Sequence, residues 1–187
     1  MMQGGVRAEK QRIRKETKII SGTLTPEYRR EASREIARRV MALPLWQQAG
    51  TVMAYWSLPE EPDTRELMEA ALAAGKRLLL PRCLDRNTMT ALPVQNLEEV
   101  EPGLMGIPAP KMPEQTDGIP AADLILVPCV AASPGGIRLG HGAGYYDRFL
   151  AGQSGKTVCL CFRALLRPDL PAEDTDIPVD LVVTDGD

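Results

Sequence analysis

The chain predicts an α/β fold: one domain over residues 1–187, in three layers, with a largely parallel or mixed central sheet flanked by helices. Three observations carry this. Short apolar runs rich in Val, Ile and Leu recur at 51–56, 77–80, 123–130, 157–162 and 181–184. Segments of helical period separate several of them, as crossover connections do. A glycine-rich loop stands between two of the runs, where the carboxyl ends of such strands carry a ligand site.

In chain order, residues 7–20 have the composition of a first helix. Thr25 then caps a second, with Pro26 at its first position and Tyr28, Ala32, Ile36 and Val40 four apart on one face. Together these basic helices cover about 7–43. The first strand is 51–56. Asp63-Thr64-Arg65-Glu66 resembles a capping box opening a helix that runs to Ala74, with Gly75 past its end. Strands follow at 77–80, closed by Pro81, and at 88–92. Residues 93–122 are proline-rich and expected to be irregular, flanking a binding cavity, because long irregular stretches in compact domains are commonly functional. A buried strand at 123–130, the glycine loop with a short helix, and strands at 157–162 and 181–184 complete the order.

Composition narrows the function. With 44% hydrophobic and 25% charged residues the chain can bury a continuous core. No apolar run approaches the roughly 18–20 residues of a membrane span, and the first sixteen residues have no apolar stretch of a secretory signal. A cytoplasmic location is expected. The four cysteines lack C-x-x-C spacing and there is one histidine, so zinc is not expected. Residues 1–39 hold eleven of the 22 Lys and Arg but five of the 25 Asp and Glu. A solvated helical face accounts for most of this charge. Aromatics do not interleave with it, so nucleic acid is not expected as a partner, and a monomer or weak homodimer is.

The most informative segment is Ile137-Arg138-Leu139-Gly140-His141-Gly142-Ala143-Gly144-Tyr145-Tyr146-Asp147-Arg148. Glycines at spacing two let backbone N–H groups curl around an anion, and Arg138 and Arg148 bracket the loop with positive charge. From the residues alone it reads equally as a glycine-rich turn over packed tyrosines. The G-x-G-x-x-G dinucleotide fingerprint is not met, because the third glycine comes one residue early; the fold is therefore Rossmann-like without that signature. Gly152-Gln153-Ser154-Gly155-Lys156-Thr157 mimics the end of a P-loop, but Leu150 stands where its first glycine belongs.

The loop resembles the signature of the 5-formyltetrahydrofolate cyclo-ligase family, also called methenyltetrahydrofolate synthetases. The resemblance extends over nearly the whole chain: Lys10 and Arg14; Tyr55, Glu61, Asp63 and Thr64; Gly103, Gly106, Ile107 and Pro108; Pro171, Glu173, Asp176, Asp180 and Thr184. The chain departs from the family pattern at Ser21, at Leu165 or Leu166, at Thr175, and in 91–95, where a family aromatic is missing.

The resemblance implies ATP-dependent cyclisation of 5-formyltetrahydrofolate to 5,10-methenyltetrahydrofolate, through a phosphorylated formyl intermediate, with ATP and Mg²⁺ required. It also implies roles. Lys10 and Arg14, four apart on a helix, would reach the ATP phosphates. Arg138, Leu139, Gly140, His141, Gly142, Ala143, Gly144, Tyr145 and Tyr146 would cradle the triphosphate, His141 merely brushing ligand. Asp147 and Asp176 would ligate Mg²⁺. Arg138, Tyr145 and Asp147 would be catalytic. Glu61 would take hydrogen bonds from the pterin ring, with Trp56 and Tyr145 lining its pocket. Two other readings stand beside this one: a paralogue with the same ATP site acting on another formyl or amide substrate, and a non-catalytic folate- or nucleotide-binding protein. Retention of Lys10, Glu61 and Asp147 together argues against the last.

Overall fold

The computed structural model describes residues 3–113 and 118–186. Helices α1 (Gln3–Thr23), α2 (Pro26–Ala42) and α3 (Pro44–Gln48) lead into strand β1 (Thr51–Met53). Next come α4 (Arg65–Ala73), β2 (Arg77–Cys83), β3 (Met89–Val94), β4 (Val100–Pro102) and β5 (Pro108–Pro110). The chain continues through β6 (Leu124–Val127), β7 (Ala131–Ala132), β8 (Arg138–Leu139), α5 (Tyr145–Leu150), β9 (Lys156–Leu160) and β10 (Leu181–Val183).

Six strands form one sheet in the order β10–β9–β6–β1–β2–β3, parallel except for β3, which pairs antiparallel with β2. Every residue of β1 and β6 is buried, as happens when helices cover both faces of a parallel sheet. The expected α/β architecture, a mixed and mostly parallel sheet flanked by helices, is the one observed. From β1 the chain crosses through α4 to β2 on one side, whereas β6 lies on β1's other side and leads to β9 beyond. Strand order thus reverses between β1 and β6, and the crevice at their carboxyl ends is where such sheets bind ligands.

Local chemistry explains the boundaries. Thr25 caps α2 by accepting the Tyr28 N–H at 3.1 Å, and Ala32, Ile36 and Val40 are buried. The strand expected over 51–56 stops at Met53, because the Thr64 hydroxyl takes the Tyr55 carbonyl at 2.5 Å and turns the chain out of the ladder. Thr64 therefore gives α4 no side-chain cap; Asp63 accepts the Arg65 N–H at 2.9 Å instead. Pro81 does not close β2 as expected. β1 reaches only as far as Leu79, so beyond it β2 is paired on one side and a missing N–H is tolerated. The expected strand 123–130 ends at Val127, and a β7–β8 hairpin follows that places Arg138. Within 93–122, β4 and β5 form a two-stranded ribbon joined by a tight turn at Leu104–Gly106; residues 114–117 lie outside the described residues.

Candidate active site

At the β1–β6 switch point a cavity of about 800 Å³ opens between α1, the β4–β5 ribbon and the glycine loop. Each residue assigned a role from the sequence lines it: Lys10, Arg14, Trp56, Glu61, the run from Arg138 to Asp147, and Asp176. The ribbon contributes Leu104, Met105, Ile107 and Pro108 as an apolar wall.

The cations arrive from two directions. Helix α1 brings Lys10 and Arg14 on one face, one turn apart. Lys10 Nζ lies 2.6 Å from Asp176 Oδ2 and 2.8 Å from Glu173 Oε2, and its side chain is almost fully buried. Burial works to lower its pKa, but the bonds to Asp176 and Glu173 outweigh it and leave the ammonium raised. Arg14 Nε donates to the Gly140 carbonyl at 2.8 Å. Arg138 Nη2 donates to Asp147 Oδ1 at 2.8 Å, and Asp147 also accepts the Ile177 N–H at 3.1 Å. The two carboxylates assigned to magnesium are thus each held by a cation, Asp176 by Lys10 and Asp147 by Arg138.

The glycine loop is shaped by its own contacts. Gly142 (φ 105°) and Gly144 (φ 71°) occupy the left-handed region that side chains disfavour, whereas Gly140 does not. Arg14 holds the Gly140 carbonyl, and Arg148 Nη2 holds the Ala143 carbonyl at 2.6 Å. In a trans peptide the following N–H groups, of His141 and Gly144, then point to the opposite side of the chain. Helix α5 has only six residues, so an anion at this loop would meet backbone N–H groups more than a helix dipole. Tyr145 donates to the Asp85 carbonyl at 2.7 Å, tying α5 to the β2–β3 turn. Tyr146 lies under the Arg138 guanidinium, 5.7 Å from centroid to Cζ.

At the deep end Glu61 is buried, with Oε2 accepting the Leu58 N–H at 2.8 Å and Oε1 3.2 Å from His141 Nε2. The Tyr55 and Tyr146 hydroxyls and Arg138 Nε are buried without a hydrogen-bond partner among the described residues. Burial drives both phenols well above their usual range, and the Glu61 charge adds to it. Buried polar atoms without partners are uncommon, and three around one cavity fit a site completed by ligand. The sequence reading gave no role to Tyr55 or Glu173, although both belong to the quoted family blocks. Neither Met105, at φ 59° and largely exposed, nor the Glu61–His141 contact had a sequence signal.

A family model described as the 5-formyltetrahydrofolate cyclo-ligase family matches residues 6–185. The 5-formyltetrahydrofolate cyclo-ligase of Escherichia coli (strain K12) is 35% identical over 168 residues, spanning 86% of this chain and 92% of that protein. Its Mycolicibacterium smegmatis counterpart is 34% identical over 168 residues, spanning 85% of each. The solved structure of Aquifex aeolicus 5,10-methenyltetrahydrofolate synthetase superposes with a TM-score of 0.84 at 31% identity, covering 95% of this chain and 90% of that one.

Proposed function

The chain belongs to the 5-formyltetrahydrofolate cyclo-ligase family, a family of ligases, and from that premise we propose that it converts 5-formyltetrahydrofolate and ATP to 5,10-methenyltetrahydrofolate, ADP and phosphate. The observation that carries this reading is the mixed lining of one cavity. Lys10, Arg14, Arg138 and the glycine loop line it together with the buried Glu61 and the ring of Trp56. A triphosphate suits the cations and the loop, and a flat ring with several N–H donors suits the carboxylate and the indole.

An amide-like formyl oxygen is a poor leaving group. ATP supplies the phosphoryl group that makes it a good one: the oxygen bonds to phosphorus and ADP departs. N10 then bonds to the formyl carbon, the carbon–oxygen bond breaks, phosphate leaves and the N10 proton is lost. The protein's task in such chemistry is positioning and charge stabilisation. Lys10, Arg14 and Arg138 would neutralise charge on the phosphates, and the 140–146 backbone would hold them in line with the formyl oxygen. Tyr145 anchors α5 and so fixes the loop. Glu61 would orient the ring, with Trp56 as its wall.

Asp147 and Asp176 suit magnesium in a limited way. Among the described residues no three such side chains group closely enough to hold an ion, but this ion takes one or two carboxylates and completes its shell with phosphate oxygens and water. These two carboxylates would hold the ion, which would supply positive charge to the phosphates, with Lys10 and Arg138 lining the same cavity beside them.

The test is the methenyl-folate absorbance band, followed with 5-formyltetrahydrofolate in the presence and absence of MgATP. A rise that needs both ATP and Mg²⁺ and is lost in Asp147→Ala supports the reading. ATP binding without any rise would refute it and favour a different formyl or amide substrate.

A further inference from the structure

Resting on the cyclo-ligase reading, we infer that His141 is a specificity-determining residue of the folate subsite: its imidazole occupies Glu61 and has to yield that carboxylate to the incoming ring. Three observations carry this. His141 is the chain's one histidine, and its Nε2 lies 3.2 Å from Glu61 Oε1 across a sequence separation of 80 residues. The other oxygen, Oε2, is committed to the Leu58 N–H at 2.8 Å, so Oε1 is the one left to meet ligand. The partners differ in freedom, since the Glu61 side chain is 5% exposed and that of His141 is 55% exposed. Glu61 is the fixed acceptor and the imidazole is the group that moves.

The imidazole can move by its own side-chain torsions. The backbone on either side of it is held, Gly140 by Arg14 and Ala143 by Arg148, so the loop need not move with it. The tip from His141 to Ala143 is exposed. Because the same loop is proposed to cradle the triphosphate, the imidazole joins that loop to Glu61 until a ring takes its place.

Charges facing His141 set how tightly it holds. The hydrogen bond it donates to Glu61 raises its pKa, burial opposes this, Glu61 and Glu60 add attraction, and Arg14 subtracts. An imidazolium on Glu61 is a charge-assisted bond and a stronger competitor than the neutral ring. Releasing it returns the histidine towards its ordinary pKa of about 6.5. Folate binding therefore expels a proton in the window just above that value, and folate affinity falls as pH drops through it.

The experiment is calorimetric titration of the full chain with 5-formyltetrahydrofolate, without nucleotide, at pH about 6 and about 8. Wild type, His141→Ala and His141→Gln are compared, each checked by circular dichroism. His141→Ala is expected to bind folate roughly 3- to 10-fold tighter than wild type at the lower pH, with the gap narrowing at the higher one. His141→Gln, a donor that cannot titrate, is expected to bind with little dependence on pH. Weaker folate binding by His141→Ala at both values would overturn the inference, since the imidazole would then contact ligand instead of competing with it. So would wild-type affinity at both values. Failure of the family reading is distinct: wild type would then form no methenyl product, whatever the residue at 141.

Discussion

Lys10 of the first helix and Asp176 near the carboxyl end form an ion pair of 2.6 Å that Glu173 completes from the other side. The amino-terminal helix is therefore fastened to the rest of the molecule by a group that also faces the cavity. Arg7, at 3.5 Å from Glu173, adds a largely exposed link between the same regions, and Arg167, at 3.1 Å from Glu16, a half-buried one. Exposed links of this kind contribute little, so the buried ammonium is the one that matters.

Lys10→Met keeps the stem's packing and removes the charge. It is expected to cost about 1–3 kcal/mol, because two carboxylates lose the charged donor between them. The KM for ATP should rise at least tenfold. Adding Asp176→Asn should recover part of the stability without restoring ATP affinity. Thermal melts and initial rates for the single and double variants separate the two roles; full recovery of both would show that Lys10 serves folding alone.

Asp147→Asn probes the other pair. The Arg138 side chain is 4% exposed and its Nε has no partner, so losing the Asp147 charge strands a buried guanidinium. A loss of about 3 kcal/mol is expected. Product formation should cease even at temperatures where the variant remains folded. Retained turnover with only a lowered melting temperature would remove Asp147 from the catalytic set.

How much of this was legible follows from what each feature depends on. The Thr25 cap, Pro26 and the period-four face of α2 rest on neighbours in sequence, and they read directly. Strand lengths do not, since Pro81 is tolerated only because β1 ends early, and β1 ends early because Thr64 takes Tyr55's carbonyl. The glycine spacing predicts a cradle, yet which of the glycines take positive φ does not follow from it, nor does the hold of Arg14 on the Gly140 carbonyl from 126 positions away. Lys10 was found through family spacing. Its engagement of Glu173 and Asp176 spans more than 160 positions and leaves no local pattern.

Tyr146→Phe should raise stability and lower function together. The Tyr146 hydroxyl is buried without a partner, so removing it relieves a desolvation cost of about 1 kcal/mol in the ligand-free protein. The ring's stacking under Arg138 is kept. If the hydroxyl meets bound substrate, the KM for 5-formyltetrahydrofolate rises as the melting temperature rises. A variant that is more stable with unchanged KM would return Tyr146 to the core.

Acid should weaken the fold in a defined window. Arg38 and Arg39 hold the Glu35 carboxyl down to about 2, and Lys10 and Arg12 depress Glu173 and Glu9. Burial works to raise Asp180, but bonds from Lys156 and Thr157 outweigh it and leave it lowered. Groups with depressed folded-state pKa stabilise fully above their unfolded value of about 4 and lose this as pH falls through the folded one. Calorimetric melting temperatures should be flat with respect to these carboxylates above about pH 5 and fall towards pH 2. Because most of these pairs are at the surface, high salt should flatten that slope. An acid limb insensitive to salt would place its origin in the buried Lys10 cluster instead.

Gly140→Ala and Gly144→Ala should part company despite belonging to one glycine run. A Cβ at Gly140 would meet Arg138 Nη1 at 3.6 Å, an ordinary contact, and its backbone is outside the left-handed region. Gly140→Ala is expected to leave stability within about 0.5 kcal/mol. At Gly144 the φ of 71° disfavours any side chain, and a Cβ would sit 2.7 Å from Arg148 Nη1. To make room Arg148 must shift, which disturbs its bonds to the Ala143 and Asn87 carbonyls, to which it donates at 2.6 Å each. Backbone strain alone adds about 1–2 kcal/mol. Gly144→Ala should therefore melt several degrees lower and bind ATP more weakly, because the Ala143 carbonyl that sets the loop's N–H direction is held less firmly. If Gly140→Ala melts like wild type yet fails to bind ATP, the missing Cβ at 140 serves the ligand's close approach rather than the loop's conformation.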